Sequence, residues 1–349
     1  MKYICIPLLI ILFSCSLKVN SDDFIITFNE EDIPEPIKLK GTKYKYEQLL
    51  NPRHIFFEGE FLIVGEKGND TLLHAIKSSS NKYYKRIGVN GVGPGEITMV
   101  HRFLHDDESG AFWAYDVETK RLARYNVFDD SPLSNEIISQ RDDFFLAVEL
   151  AWSSDTTVMT VRTDLDEKFV EFNILNNEVT NTYGTWKEMY DKNDVPVSII
   201  SSIHNGVLTS NPTKDKFIKV GVQRDYIEIL DKKSGKIISI RGPEQFMPDF
   251  KIDYSAGYPM PQTSNDNPFF YTSVSAESNN FYVLYSGKTM RQIMQGNSYE
   301  SVLVFDYEGN LISAYDLDFT LLSFTVDEEN RIFYGITYDS EPNVVAYRF

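Results

Sequence analysis

Residues 61–97, FLIVGEKGNDTLLHAIKSSSNKYYKRIGVNGVGPGEI, contain three short apolar runs separated by polar turns. The runs FLIVGE, LLHAIK and YYKRIG are rich in β-branched and aromatic residues, which favour strands. Gly, Asn, Asp and Ser, which are typical turn residues, stand between them. The stretch therefore predicts three consecutive antiparallel strands followed by a glycine-rich corner.

This pattern recurs along the whole chain. Six lead strands share one composition, and they read EFLIVGE, AFWAYDV, TVMTVRT, KFIKVGV, NFYVLYS and RIFYGIT. Between Phe61 and Ile332, the first apolar residues of the first and last lead strands, the spacing averages about 54 residues. Further strands precede and follow each lead strand, which makes about four per repeat. Six such repeats predict an all-β fold, a six-bladed β-propeller with four-stranded antiparallel blades.

The two ends of the chain predict how the ring closes. The last repeat stops at Phe349 without a fourth strand, and EPIKLK at 35–40 is a spare strand near the N-terminus. We expect residues 35–40 to pair with the last blade, because closure removes two free sheet edges. Residues 35–349 are then a single propeller domain, which we expect to be a monomer.

The first residues predict an export signal. Ile4–Phe13 is apolar but shorter than the roughly 20 residues that span a bilayer, which suits a signal peptide covering residues 1–14. Leu12-Phe13-Ser14-Cys15 resembles a bacterial lipobox, which implies a lipidated Cys15, a flexible tether over 15–34 and an anchor in the outer membrane. The alternative is an ordinary secretory signal with a chance cysteine. The side of the outer membrane stays open.

Charge and cysteine content limit the function further. A net charge of −17 repels phosphate backbones, so nucleic acid is excluded as a partner. The two cysteines are Cys5, inside the signal, and Cys15. Once Cys15 carries lipid, no thiol remains for a disulfide, a metal site or a nucleophile. We expect no cofactor.

The glycines at 91–95 invite comparison with a phosphate-binding loop. A dinucleotide fingerprint requires a helix directly after the glycines, but ITMVHRFLH reads as another strand. Gly93-Pro94-Gly95-Glu96 instead suits a type II turn, with Pro second and Gly third. The motif is predicted to be the corner between blades one and two. Glu96 either accepts backbone N–H bonds there or faces a ligand.

Residues 46–97 resemble the first blade of TolB-like six-bladed propeller lipoproteins, and Gly-x-Gly-Pro-Gly-Glu at 91–96 is the most specific part of the match. The resemblance implies a propeller lipoprotein of the cell envelope. It supplies no established reaction and no catalytic residues.

Catalytic and metal-binding motifs are scarce. The sequence has neither His-Glu-x-x-His nor Gly-x-Ser-x-Gly, and acidic clusters at 106–108 and 327–329 occupy equivalent turns of the repeat, where hairpin formation explains them. His101 and Arg102 are the exception of interest. They fall on the innermost strand of blade two, so one of them should point into the central channel.

Three long insertions should form a binding face. Residues 184–198, 242–270 and 286–300 all connect strands on the face that also carries the glycine corner. They contribute Trp186, Tyr190, Tyr254, Tyr258 and Arg291, and the rings either bind a ligand or pack the loops onto the blades. The favoured hypothesis is a non-catalytic protein that binds a partner protein or a glycan. The alternative is a lyase or hydrolase at the channel mouth, using Glu96, His101 and Arg102.

Overall fold

A computed structural model describes residues 24–140, 147–186, 195–255, 257–295 and 300–349. Six antiparallel sheets follow one another along the chain as predicted, and the first strand of each contacts the first strand of the next. The sixth sheet contacts the first in the same way. The fold is therefore a closed six-bladed propeller with four-stranded antiparallel blades, and its innermost strands surround a central channel.

The first three blades come directly from the chain order. Blade one consists of Pro52–Glu58, Phe61–Glu66, Thr71–Lys77 and Lys82–Val89. Blade two consists of Arg102–His105, Ala111–Asp116, Arg121–Asn126 and Glu136–Ser139. Blade three consists of Ala147–Trp152, Thr157–Arg162, Glu167–Asn173 and Glu178–Thr185.

The other three blades also use strands from the N-terminal segment. Blade four consists of Gly206–Ser210, Lys216–Gly221, Tyr226–Asp231 and Ile237–Arg241, with Phe24–Thr27 added outside. Blade five consists of Pro268–Ala276, Asn280–Thr289, Glu300–Asp306 and Leu311–Leu317, with Ile37–Leu39 added outside. Blade six consists of Leu321–Asp327, Ile332–Thr337, Val344–Arg348 and Thr42–Lys43.

The remaining elements are short. One turn of 3₁₀-helix, Glu30–Asp32, lies in the N-terminal segment. Helix Val197–Ile203 precedes blade four, hairpin Phe250–Asp253 with Met260–Thr263 lies between blades four and five, and helix Met290–Met294 connects two strands of blade five. No helix in the described ranges is long and apolar enough to cross a membrane.

Packing between neighbouring blades forms the hydrophobic core. Each of six buried clusters joins two adjacent blades, and the cluster between blades six and one completes the circle. The second strand of a blade is covered on both sides, which explains why Phe61–Glu66 and Ala111–Asp116 are buried throughout. The lead strands therefore read as continuous apolar runs and not as alternating ones.

An N-terminal strand closes the ring, as predicted, but its position differs from the expectation. The closing strand is Thr42–Lys43, which pairs antiparallel with Val344–Arg348 of blade six. Within 35–40, Ile37–Leu39 runs parallel to the outer strand of blade five, one blade earlier. The pairing of Phe24–Thr27 with blade four also corrects the predicted tether over 15–34, since the propeller includes the chain from residue 24.

The strand order gives the propeller two distinct faces. The loop face carries the connections between blades and the turns between second and third strands. The turn face carries the turns between first and second and between third and fourth strands. Because every complete blade has four alternating strands, each connection to the next blade leaves from the loop face.

The closing strand should be sensitive to added volume at Gly41. A Cβ built there would lie 2.6 Å from Val345 Cγ2 and 2.8 Å from the Tyr347 ring. We expect Gly41→Ala to lower the free energy of unfolding by about 1–3 kcal/mol, because either the strand or blade six must shift. Urea unfolding measures the loss, and Lys40→Ala, at an exposed neighbour, is the control. Equal stability of both variants would contradict this account of closure.

Candidate functional site

The long insertions lie together on the loop face. The connections at 186–205 and 242–267 leave blades three and four there, and the blade-five connection with helix Met290–Met294 emerges beside them. Gln223 Nε2 donates to Thr263 Oγ1 at 3.2 Å, which ties the hairpin to blade four. Arg291 Nη2 lies 3.4 Å from Asp266 Oδ1, which links the helix to the connection that follows the hairpin.

These insertions expose an unusual number of large apolar side chains. Tyr254 is 62 % exposed and Met294 is 72 % exposed, on the hairpin connection and the short helix. The exposed set, here called the Met/Tyr patch, comprises Met247, Tyr254, Tyr258, Met260, Met290 and Met294. Four of the chain's eight methionines are in it. Methionine is flexible and polarizable, so a surface rich in it adapts to apolar partners.

The sequence-predicted residues divide between the patch and other places. Tyr254 and Tyr258 belong to the patch, and Arg291 lies at its edge with an exposed side chain. Tyr190 and Cys15 lie outside the described residues.

Trp186 is not part of an exposed surface, contrary to the prediction. Its side chain is fully buried, with the ring centroid 5.5 Å from that of His204. The ammonium of Lys219 lies 4.0 Å from the indole centroid. The ring therefore packs the connection between blades three and four onto blade four, the structural alternative that the sequence left open.

A buried charge cluster surrounds Trp186. Glu228 Oε1 lies 2.8 Å from Lys168 Nζ and Glu228 Oε2 lies 2.5 Å from Lys219 Nζ, and all three side chains are inaccessible to solvent or nearly so. Burial opposes ionisation of Glu228, but the two lysines outweigh it and lower its pKa to about 2. Burial lowers the pKa of Lys219 to about 8, although Glu228 opposes that shift. Glu228 thus joins Lys168 of blade three to Lys219 of blade four.

Polar groups converge at the loop-face end of the central channel. The channel has a volume of about 440 Å³, and the innermost strands of all six blades line it. Arg102 of blade two donates from Nε and Nη2 to Glu149 of blade three, at 2.7 and 2.8 Å. His101 Nε2 lies 3.1 Å from Glu149 Oε1. Burial disfavours ionised Glu149, but Arg102 and His101 overcome it and lower its pKa.

Both His101 and Arg102 line the channel, where the sequence predicted one. The strand begins only at Arg102, so strict alternation of sides does not apply to His101. His54 of blade one also lines this end, and burial followed by the charges of Arg102 and His101 lowers its pKa to about 3. His54 is therefore neutral at physiological pH.

Glu96 completes the glycine corner. Its Oε2 accepts a bond from Gly93 N at 2.8 Å, while Glu96 N donates to Gly93 O at 3.2 Å and Gly95 has a φ of +80°. A Cβ on Gly91 would lie 2.1 Å from Glu96 Oε2, so a larger residue there would displace the Glu96 carboxylate from the turn. The type II turn is confirmed, and Glu96 serves the turn and is not among the residues that line the channel.

Asp225 anchors the connection between blades four and five. Its carboxylate accepts bonds from Glu244 N at 2.9 Å and from Tyr271 Oη at 2.8 Å. Burial raises its pKa to about 6, although the bonds from Tyr271 and Glu244 oppose the shift. Asp225 thus joins blade four, the Met/Tyr patch connection and blade five at one point. In the sequence, this anchoring role was indicated only by a single acidic residue in the turn QRDY at 223–226.

The geometry defines a propeller with one face enlarged by insertions. A family model described as TolB-like 6-blade propeller-like matches residues 27–329. The chain belongs to this TolB-like propeller family, as its first blade predicted.

Solved structures show the same fold at low sequence identity. A member of the DUF4221 family from Bacteroides vulgatus is similar with a TM-score of 0.59 and 13% identity, covering 90% of this chain and 97% of that one. A putative exported protein from Bacteroides fragilis has a TM-score of 0.56 and 12% identity, covering 93% and 98%. U3-55K has a TM-score of 0.51 and 10% identity, covering 88% and 98%. No curated protein sequence matches.

The charge cluster predicts opposite results for two substitutions. Glu228→Gln removes the carboxylate that contacts both lysines and leaves the fully buried Lys219 ammonium without its counter-charge, so we expect a loss of about 3–5 kcal/mol in the free energy of unfolding. Lys219→Met leaves Lys168 paired with Glu228 and fills a similar volume, so we expect a change within about 1 kcal/mol. Urea unfolding compares them. A larger loss in the free energy of unfolding for Lys219→Met than for Glu228→Gln would contradict this account of the cluster.

Asp225 predicts a pH dependence of stability. Its folded pKa of about 6 lies above the ordinary aspartate value of 3.8, so the folded state binds more protons between these values. Stability contributed by Asp225 is therefore complete below pH about 4 and falls by about 3 kcal/mol as pH rises through about 6. Asn cannot ionise, so Asp225→Asn should gain stability relative to the parent between pH 4.5 and 7.5. If urea unfolding gave the same stability difference between Asp225→Asn and the parent at pH 4.5 and at pH 7.5, this account of Asp225 would be contradicted.

Proposed function

We propose that the protein is a non-catalytic lipoprotein of the cell envelope that binds a partner protein through the Met/Tyr patch. The observation that carries the proposal is the exposure of six large apolar side chains on insertions that take no part in ring closure. Exposed apolar groups of this kind, when grouped, mark interaction sites. Aromatic and methionine side chains are also the types enriched in protein interfaces.

Several observations support a protein partner over a glycan. Flexible methionines form most of the patch, and they offer dispersion contacts without hydrogen-bonding groups. Arg291, which would suit a sugar hydroxyl, already lies against Asp266. A glycan stays the second outcome of the test, because Tyr254 and Tyr258 could also stack on sugar rings.

Export and lipidation complete the proposal. The sequence carries the signal-peptide pattern and a cysteine at position 15, and one structural neighbour is a putative exported protein. We propose a monomer attached to the outer membrane through lipid on Cys15. The enzymatic alternative receives no comparable support, since His101 and Arg102 bind Glu149 and Glu96 binds its own turn.

Photo-crosslinking in cells tests the binding face. A photoreactive residue at Tyr258 should give one discrete protein adduct, whereas the same residue at Leu175, exposed on the turn face of blade three, should not. Adding Met290→Asp and Met294→Asp should reduce the Tyr258 adduct at least fivefold, since charges oppose apolar burial. Adducts of equal yield from Leu175, or a yield unaffected by the two aspartates, contradict the proposal. A protease-resistant adduct identifies a glycan instead.

A further inference from the structure

The N-terminal strand fixes the point at which the chain enters the propeller. Phe24–Thr27 runs parallel to Ile237–Arg241, with Phe24 opposite Ile238 and Thr27 opposite Arg241. The outer strand of blade four runs from the turn face to the loop face, so the added strand does too. Phe24 therefore lies near the turn face, where the described part of the chain begins.

The lipid anchor proposed above lies close to this entry point. Eight residues lie between Cys15 and Phe24, and an extended chain over these nine Cα–Cα steps spans at most about 30 Å. The turn-face rim of blade four is therefore the part of the propeller held nearest to any membrane that contains the lipid.

This rim is also rich in lysine, although the protein as a whole is acidic. Two turn-face segments of blade four, 211–216 and 231–236, contain five lysines and two aspartates, whereas the whole chain has 34 Lys and Arg against 51 Asp and Glu. The equivalent turns of blades two and six carry Asp106–Glu108 and Asp327–Glu329. The turn face is thus electrically asymmetric, and its positive side coincides with the entry of the chain.

Three of these five lysines are already paired with carboxylates of the protein. Lys214 lies 3.0 Å from Asp107, Lys216 bonds to Asp231, and Lys232 lies 2.7 Å from Glu171. Lys233 and Lys236 are exposed. The ammonium of Lys236 lies 5.1 Å from the ring centroid of Phe24, which is itself 54 % exposed. The rim of blade four thus has two exposed cations, and one of them, Lys236, lies against the exposed Phe24 ring.

We propose that the turn-face rim of blade four rests on an anionic phospholipid surface, with Lys233 and Lys236 against the headgroups and the Met/Tyr patch directed away from the membrane. The proposal rests on the proposed lipid anchor at Cys15. A basic patch acts only within about 10 Å of a charged surface, and a tether of at most about 30 Å allows the blade-four rim to approach the membrane that closely. One lipid chain together with a basic patch forms a two-part anchor.

Depth-dependent quenching in vesicles tests the orientation. Glu308 and Met294 are exposed residues on the turn face and the loop face of the same blade, blade five. Glu308→Cys and Met294→Cys are each labelled with a fluorophore in the purified lipidated protein and reconstituted with phosphatidylglycerol and doxyl-labelled lipid. We expect at least threefold more quenching at position 308. Equal quenching, including none at either position, overturns the orientation.

The lysines are tested separately from the tether. Lys233→Glu with Lys236→Glu should at least halve the quenching at position 308, while Lys67→Glu with Lys251→Glu, two exposed loop-face lysines, should leave it unchanged. Quenching that survives the first pair, or falls equally with the second, overturns the headgroup contact.

The parent protein distinguishes a failed orientation from a failed anchor. Apart from Cys5 in the signal, Cys15 is the chain's only cysteine, so a lipidated parent should take up no thiol reagent. Uptake at Cys15 refutes the lipid anchor and with it this proposal. A blocked thiol with equal quenching refutes the orientation alone and leaves the proposed function standing.

Discussion

Three short strands of the N-terminal segment pair with blades four, five and six, and the last of these pairings closes the ring. Lys43 pairs with Val345, which lies near the other end of the sequence. Without that pairing, blade six would present an open sheet edge. The same segment covers the outer edges of blades four and five on its way. Closing so long a loop carries a large entropic cost and delays folding until both ends are present. The six interblade cores offset that cost only once the circle is complete, so the short closing strand governs the stability of all of them.

Blades three and four meet through charge as well as apolar packing. Most interblade contacts are hydrocarbon against hydrocarbon, but here Lys168, Lys219 and Glu228 are buried together beside Trp186. A buried ion cluster adds little net stability, because desolvation offsets much of the attraction. It does demand one geometry, since displacement of Glu228 leaves the buried ammonium of Lys219 without its counter-charge. Trp186 is thereby held in place, and the connection that carries it starts from a fixed point at the border of the Met/Tyr patch.

The repeat pattern predicted the blades because strand composition is local, and the glycine corner was predictable because a type II turn requires Pro and Gly at defined places. The closing strand was assigned to 35–40 instead of Thr42–Lys43, because a two-residue strand has no periodicity and either segment could reach blade six. Trp186 was placed on the surface because exposure depends on the neighbouring blade, which the local sequence does not show. Glu149 and Glu228 were missed for the same reason, since their partners lie in other repeats. Charged residues inside apolar strands, as in KFIKVG, were the available signal.

The even number of strands in a blade separates the two faces of the molecule. Four alternating strands return the chain to the face where it began, so every insertion between blades enlarges the loop face and none enlarges the turn face. The N-terminal strand follows a different rule, because it joins blade four parallel to the outermost strand and so arrives from the turn face. The proposed attachment and the proposed binding face therefore fall on opposite sides without any dedicated domain. A propeller anchored through a parallel outer strand keeps its longest loops distant from its anchor, whatever sequences those loops acquire.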